Sequence, residues 1–369
     1  MQFLSHNRLQ ESVSMKSRTP YSELPARQFW RTAVAEPGPF GLQDLHRPKF
    51  QISPDHKIIT AGSCFAQTLS RALKQRSYTW LDAEPAPPMM LPETARRYNY
   101  GIFSTRTGNI YTVALLRQWL DWAFEPETAN QETWLGENGR LYDPVRPTVE
   151  PEGFADETAF LAAREQTFAS LRQAIRTADI LLFTLGLTEA WLNRETGMIY
   201  QMCPGTQGGE FDPARHELVN YFSDAILRDF EAIMQRLKVE NPDIKVILTV
   251  SPVSLTATAV PDSHALVANT YTKSTLRSVA GEATRRWKNV DYFPSYELVA
   301  APAMRGMFYN PNQRTISPAG VDFVMRHFFQ SYSGSLTAVP GLQAAGMRPA
   351  SQDDEPVCNE MILDFYNER

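Results

Sequence analysis

Five short apolar runs, set between helix-length amphipathic segments, constrain this chain more than any other feature of its sequence. The runs are Lys57-Ile-Ile-Thr-Ala61, Ser77-Tyr-Thr-Trp-Leu81, Asp179 to Leu185, Ile244 to Val250 and Val290-Asp-Tyr-Phe293. Helical spacing falls at about 64–76, 156–178, 217–239, 267–287 and 318–331. An uninterrupted Val/Ile/Leu run belongs in a strand covered on both faces, which is the situation of a parallel sheet. Alternation of such runs with helices predicts an α/β fold with right-handed crossovers, and its ligand site lies beyond the carboxyl ends of the strands. The residues that follow each run are therefore the ones to inspect.

The stretch at about 83–155 breaks this rhythm. It holds Pro85-Ala-Pro-Pro88, Tyr98-Asn-Tyr-Gly-Ile-Phe103 and a helical pattern near 112–124, and reads as a large insertion after the second strand. Residues 1–20 are polar and unpatterned, which predicts a disordered leader. The domain proper is expected over 21–335. Residues 336–369 read as a tail rich in Pro, Gly and small residues, with Met361 to Tyr366 docking as a short helix.

Hydrophobic residues make up 43% and charged residues 21%, which excludes disorder of the whole chain. The formal charge is -5 with both signs mixed, so there is no broad cationic face for nucleic acid. Three cysteines, Cys64, Cys203 and Cys358, are too few for a disulfide framework, and no Cys/His cluster has zinc-ligand spacing. No metal or cofactor is expected. No apolar run reaches the roughly 20 residues of a membrane span, and the N-terminus lacks a signal-peptide core. The expectation is a soluble, cytoplasmic protein.

After the first run comes Gly62-Ser63-Cys64-Phe65-Ala66, followed by helical spacing. Gly62 permits a sharp strand-to-helix turn. Ser63 then stands at a helix N-terminus, where free N–H groups and the dipole favour an oxyanion, and it can act as a nucleophile if a base takes its proton. It can equally be a simple N-cap. Cys64 is a rival nucleophile or a buried packing residue. After the third run, Gly186 again allows a tight turn; Thr188 could donate to an oxyanion and Glu189 could orient a histidine, or the two could begin a helix. Of the six histidines, only His216 and His264 lie in segments that follow a strand, and His264, between the fourth run and a helix, is the preferred base.

Several segments together resemble the GSCFA family: Thr60-Ala-Gly-Ser-Cys-Phe-Ala66, Asn99-Tyr-Gly-Ile-Phe-Ser104 with Gly108-Asn-Ile-Tyr-Thr112, Gly186-Leu-Thr-Glu189, Cys203-Pro-Gly205, Ser251-Pro-Val253, Asn269 to Lys273 and Tyr292 to Glu297. GSCFA proteins are in turn similar to SGNH (GDSL-like) hydrolases, esterases and acyl-ester-processing enzymes on a flavodoxin-like, doubly wound, mainly parallel five-stranded sheet. That resemblance implies Ser63 as nucleophile. It implies Gly101, or Gly108 with Asn109, near an oxyanion position, and Thr188 in place of an oxyanion-binding Asn. Gly62, Cys64, Gly186, His216, Asn269 and Lys273 are expected around the oxyanion or substrate. The Asp-x-x-His that SGNH enzymes carry before the last helix is here Asn312-Gln-Arg-Thr315, so neither catalytic side chain of that block is present.

The function expected from the sequence is a serine-dependent hydrolase or O-acyltransferase acting on a small-molecule or carbohydrate acyl ester, with Ser63, His264 and Glu189 as its catalytic set. The alternative is a binding module that uses the same cleft without turnover, and a third is a thiol-dependent site at Cys64.

Overall fold

The computed structural model describes residues 19–333 and 358–367. The chain divides after Arg47 into two compact units. The described part of the first unit holds only single turns, Ala26–Gln28, Arg31–Ala35 and Pro39–Gly41. The expected disordered leader lies almost wholly outside the described residues, as does most of the expected tail.

The second unit contains the α/β core. In chain order its elements are β1 (Ile58–Gly62), α1 (Cys64–Gln75), α2 (Pro92–Arg97), α3 (Val113–Phe124), β2 (Trp134–Leu135), β3 (Leu141–Tyr142), α4 (Glu157–Thr177), β4 (Ile180–Leu185), β5 (Glu189–Asn193), β6 (Ile199–Tyr200), β7 (His216–Asn220), α5 (Ser223–Glu240), β8 (Lys245–Val250), α6 (Ala265–Arg286), β9 (Val290–Tyr292), α7 (Ser295–Ala300) and α8 (Pro318–Ser333). The central sheet has four parallel strands in the order β1-β4-β8-β9. Both faces are buried, as the apolar runs require. Ile59, Leu181, Phe183, Val246 and Leu248 join a core built with α3, α4, α5 and α6, while α1, α7 and α8 pack on the opposite side.

The five-stranded sheet is corrected to four strands. The run Ser77–Leu81 meets β1 through one parallel bridge, Trp80 to Ile58. Ser77 adopts φ 58°, and Ala83 already bonds Ser104, so the segment leaves the sheet after one residue pair. A second departure is a three-stranded antiparallel sheet, β6-β5-β7, beyond the carboxyl end of β4. Residues 217–220, expected to open a helix, belong to β7, and α5 starts only at Ser223.

The stretch 83–155 is held by buried charge. Asp143 accepts from Arg146 at 2.8 Å and from Arg164 at 2.7 Å, all three side chains being at most 2% exposed. Glu84 faces Arg106 and accepts from Thr167. These pairs tie the insertion to α4.

Candidate functional site

Gly62 ends β1 with φ 132°, and a Cβ there would lie 2.4 Å from the Thr184 carbonyl oxygen of β4. Only glycine fits between the two strands. The chain then enters α1 with Ser63 as N-cap residue, extended at φ -72°, ψ 179°. Ser63 makes no capping hydrogen bond. It is 4% exposed, and its Oγ is buried without any hydrogen-bond partner among the described residues. A stranded hydroxyl of this kind costs about 1–3 kcal/mol. The capping explanation for this serine is therefore set aside, and a role that uses a free hydroxyl remains.

The wall opposite is Gly186, where a Cβ would stand 3.1 Å from the Ser63 Cβ and 3.0 Å from the Tyr111 carbonyl oxygen. The small residue expected here lets three chain segments meet. Lys273 reaches the same place from α6: its Nζ donates to the Gly186 carbonyl at 3.0 Å, and the side chain is fully buried. Burial pushes the Lys273 ammonium down to about 8, although the nearby Glu360 carboxylate and Cys64 favour its charged form.

Glu360 comes from the 3-10 helix Asn359–Asn367 close to the end of the chain. Burial and then the Cys358 sulfur push its carboxyl up to about 7, against Arg314 and Lys273. Arg314 lies 3.3 Å from the Glu360 carboxylate and also faces the Cys358 sulfur at 3.8 Å. The Cys64 thiol donates to Cys358, and that bond, followed by burial, holds Cys64 well above the ordinary thiol value. The same bond and Arg314 hold Cys358 below it. Cys64 is thus a protonated, buried thiol, which weighs against it as the nucleophile. Asn359 completes the contacts: its Oδ1 accepts from Asn109 Nδ2 at 2.6 Å, and its Nδ2 donates to Thr148 and Gln207.

Asn109 is fully buried, bonded through its Oδ1 to Gln67 of α1 and through its carbonyl to Gln201, so it does sit beside the Ser63 helix. Gly101 is a left-handed turn whose carbonyl accepts from Lys74. Thr188 is buried and bonds Thr272 of α6 at 2.9 Å. Glu189, on β5, accepts from Thr258 and Ala259, and burial pushes its carboxyl up. Asn269 accepts from the Leu255 amide and steadies the loop after β8.

Neither candidate histidine bonds Ser63, since the Ser63 Oγ has no partner. His264 is exposed at the start of α6, its Nδ1 accepting from the Leu266 amide. It precedes Lys273 by nine residues, about 13 Å along the helix axis. His216 lies on β7 against Tyr200 and Phe211, its Nδ1 accepting from Asp212 and its pKa lowered by burial. No hydrogen bond joins Glu189 to either ring. Asn312 and Thr315 bond each other and hold the turn that aims Arg314 inward.

The groups gathered around Cys64, the residue after Ser63, are therefore Lys273, Arg314, Glu360 and Cys358, and none of them bonds the Ser63 Oγ. Of these, Arg314, Cys358 and Glu360 were not singled out as site residues from sequence. Arg314 stands inside the very block compared with Asp-x-x-His, which is the one signal that could have flagged it. Beyond Tyr111 and Glu360 lies a cavity of about 260 Å³, lined mainly by apolar side chains from α3, β5, β7 and the C-terminal turn. Among the described residues no His/Cys/Asp/Glu group has the make-up of a metal site, and no helix is long and apolar enough to cross a membrane.

The GSCFA family model matches residues 57–328, which spans β1 through most of α8. No curated protein matches the chain. The chain belongs to the GSCFA family.

Proposed function

We propose that this GSCFA-family chain is a serine-dependent hydrolase or O-acyltransferase for acyl esters, with Ser63 as nucleophile and Lys273, whose amine bonds the Gly186 carbonyl on the wall facing Ser63, as the base that closes on it when substrate binds. One observation carries the reading: the Ser63 Oγ is buried, partnerless and seated at the N-terminus of a twelve-residue helix. In the reaction the neutral Lys273 amine takes the Ser63 proton as Oγ bonds the acyl carbon. The first-turn N–H groups of α1 receive the oxyanion. The ester C–O bond then breaks, and the leaving alcohol regains the proton from the Lys273 ammonium. Water or an acceptor hydroxyl reverses these steps and frees Ser63. A carbohydrate ester is one candidate substrate, and His264 and Glu189, the base and its orienting acid in the sequence reading, are bonded instead to the Leu266 amide and to Thr258 and Ala259.

A serine-reactive fluorophosphonate tests the proposal. Labelling of wild type but not of Ser63→Ala or Lys273→Met is expected; equal labelling of all three proteins would overturn it. A second reading, binding without turnover, draws on Asn312 and Thr315, which bond each other where an acid–histidine pair is expected. It predicts ligand binding with no covalent adduct.

A further inference from the structure

The cavity beside the serine names a substrate class. It holds about 260 Å³ and its walls are Leu115, Leu187, Trp191, Tyr200, Met202 and Leu218. Tyr111 and Glu360 also line it, and Leu363 of the C-terminal helix forms a further wall. Tyr111 is also the residue whose carbonyl accepts from the Gly186 and Leu187 amides, at 3.2 and 2.9 Å. The cavity therefore begins one residue away from the Gly186 wall of Ser63.

We infer that this cavity takes the neutral, linear acyl chain of the ester, with the carbonyl carbon directed to Ser63. The inference rests on the serine-dependent reading above. The volume corresponds to roughly nine water-sized units, which suits a chain of about eight to ten carbons. A mainly apolar lining favours a hydrocarbon over a sugar, most of whose hydroxyls would lose their water against Leu115, Leu187, Trp191, Met202 and Leu218. The charged groups in the lining, Glu189 and Glu360, are both acidic. They disfavour an acyl group that itself carries a carboxylate, so the chain is uncharged. The sugar or other alcohol of the ester stays outside the cavity.

The test separates this inference from the catalytic one. Octanamide is neutral and has no ester bond to cleave, so calorimetry can follow its binding to wild type and to Ser63→Ala alike. Both proteins should bind octanamide at least tenfold more tightly than butanamide, since four further buried methylenes are worth up to on the order of 100-fold. Leu218→Trp should lower octanamide affinity at least tenfold by filling the cavity. Ala257→Trp, at an exposed loop position that also lines the cavity, should do the same without disturbing the core. Equal affinity for the two amides, or tighter binding of the planar cinnamamide, would overturn the acyl-chain assignment even if Ser63 proves reactive. Chain-length-selective binding by a protein that fails to label with fluorophosphonate would instead remove the catalytic reading and leave the cavity standing.

Discussion

The Glu360 carboxylate lies 3.3 Å from the Arg314 guanidinium, and both charges act on the buried Lys273 amine. Three charges thus share one enclosed volume, and each sets the protonation of the others. Glu360 favours the charged form of Lys273. If the neutral amine is the base, activity should rise with pH through about 8. Glu360→Gln removes the anion, lowers the Lys273 value further and should move that limb to lower pH. A pH–rate profile of both proteins checks it; an unshifted limb would detach Lys273 from the chemistry.

Ser63→Ala should leave stability unchanged or raise it by about 1 kcal/mol, because it deletes a buried hydroxyl that has no partner. A serine that capped α1 would behave in the opposite way and lose about 1 kcal/mol. Urea denaturation distinguishes the two signs.

Gly62→Ala should cost at least about 2–4 kcal/mol. The new Cβ would meet the β4 backbone at 2.4 Å, where no flexible side chain can yield, and φ 132° is hostile to any L side chain. Denaturant midpoints, read together with fluorophosphonate labelling, would show stability and reactivity lost together.

Asp143 makes the fold acid-sensitive at low pH. Burial alone would raise its carboxyl, but Arg164 and Arg146 outweigh that and hold it at about 2. A depressed folded-state value means the stabilisation is complete above the unfolded value, near 3.9, and is lost as pH falls through about 2. The contribution is about 2–3 kcal/mol. Asp143→Asn should flatten this limb of a stability–pH curve, at a cost of several kcal/mol at neutral pH from two buried guanidinium groups left without their carboxylate.

Much of the fold was legible because strands buried on both faces have to be continuous apolar runs. Four of the five runs are the four central strands, and helices cover both sides. The run at 77–81 misled because its composition suits a strand while its backbone pairs only at Trp80. The β5–β7 sheet was hidden because His216 to Asn220 mixes polar and apolar residues as readily as a helix start does. At the site, local geometry was visible: Gly62 makes the expected sharp turn after its strand, whereas Gly186 is required by its close approach to Ser63 and Tyr111. The charges were not. Cys358 meets Cys64 across most of the length of the chain, and nothing in the spacing of a Pro-rich tail announces such a contact. The histidines drew attention by their chemistry alone; no side chain bonds the serine hydroxyl, and of the candidate bases Lys273 is the one bonded to the Gly186 wall beside it.

The missing side chain at Gly62 has a last consequence. Because β1 and β4 touch through bare backbone at that point, the address of the next residue in space is set by the sheet and owes nothing to its own side chain. Position 63 is a socket. Exchanging its serine for cysteine would place a sulfur where the hydroxyl oxygen now stands, so one scaffold could be refitted with a different nucleophile by a single substitution.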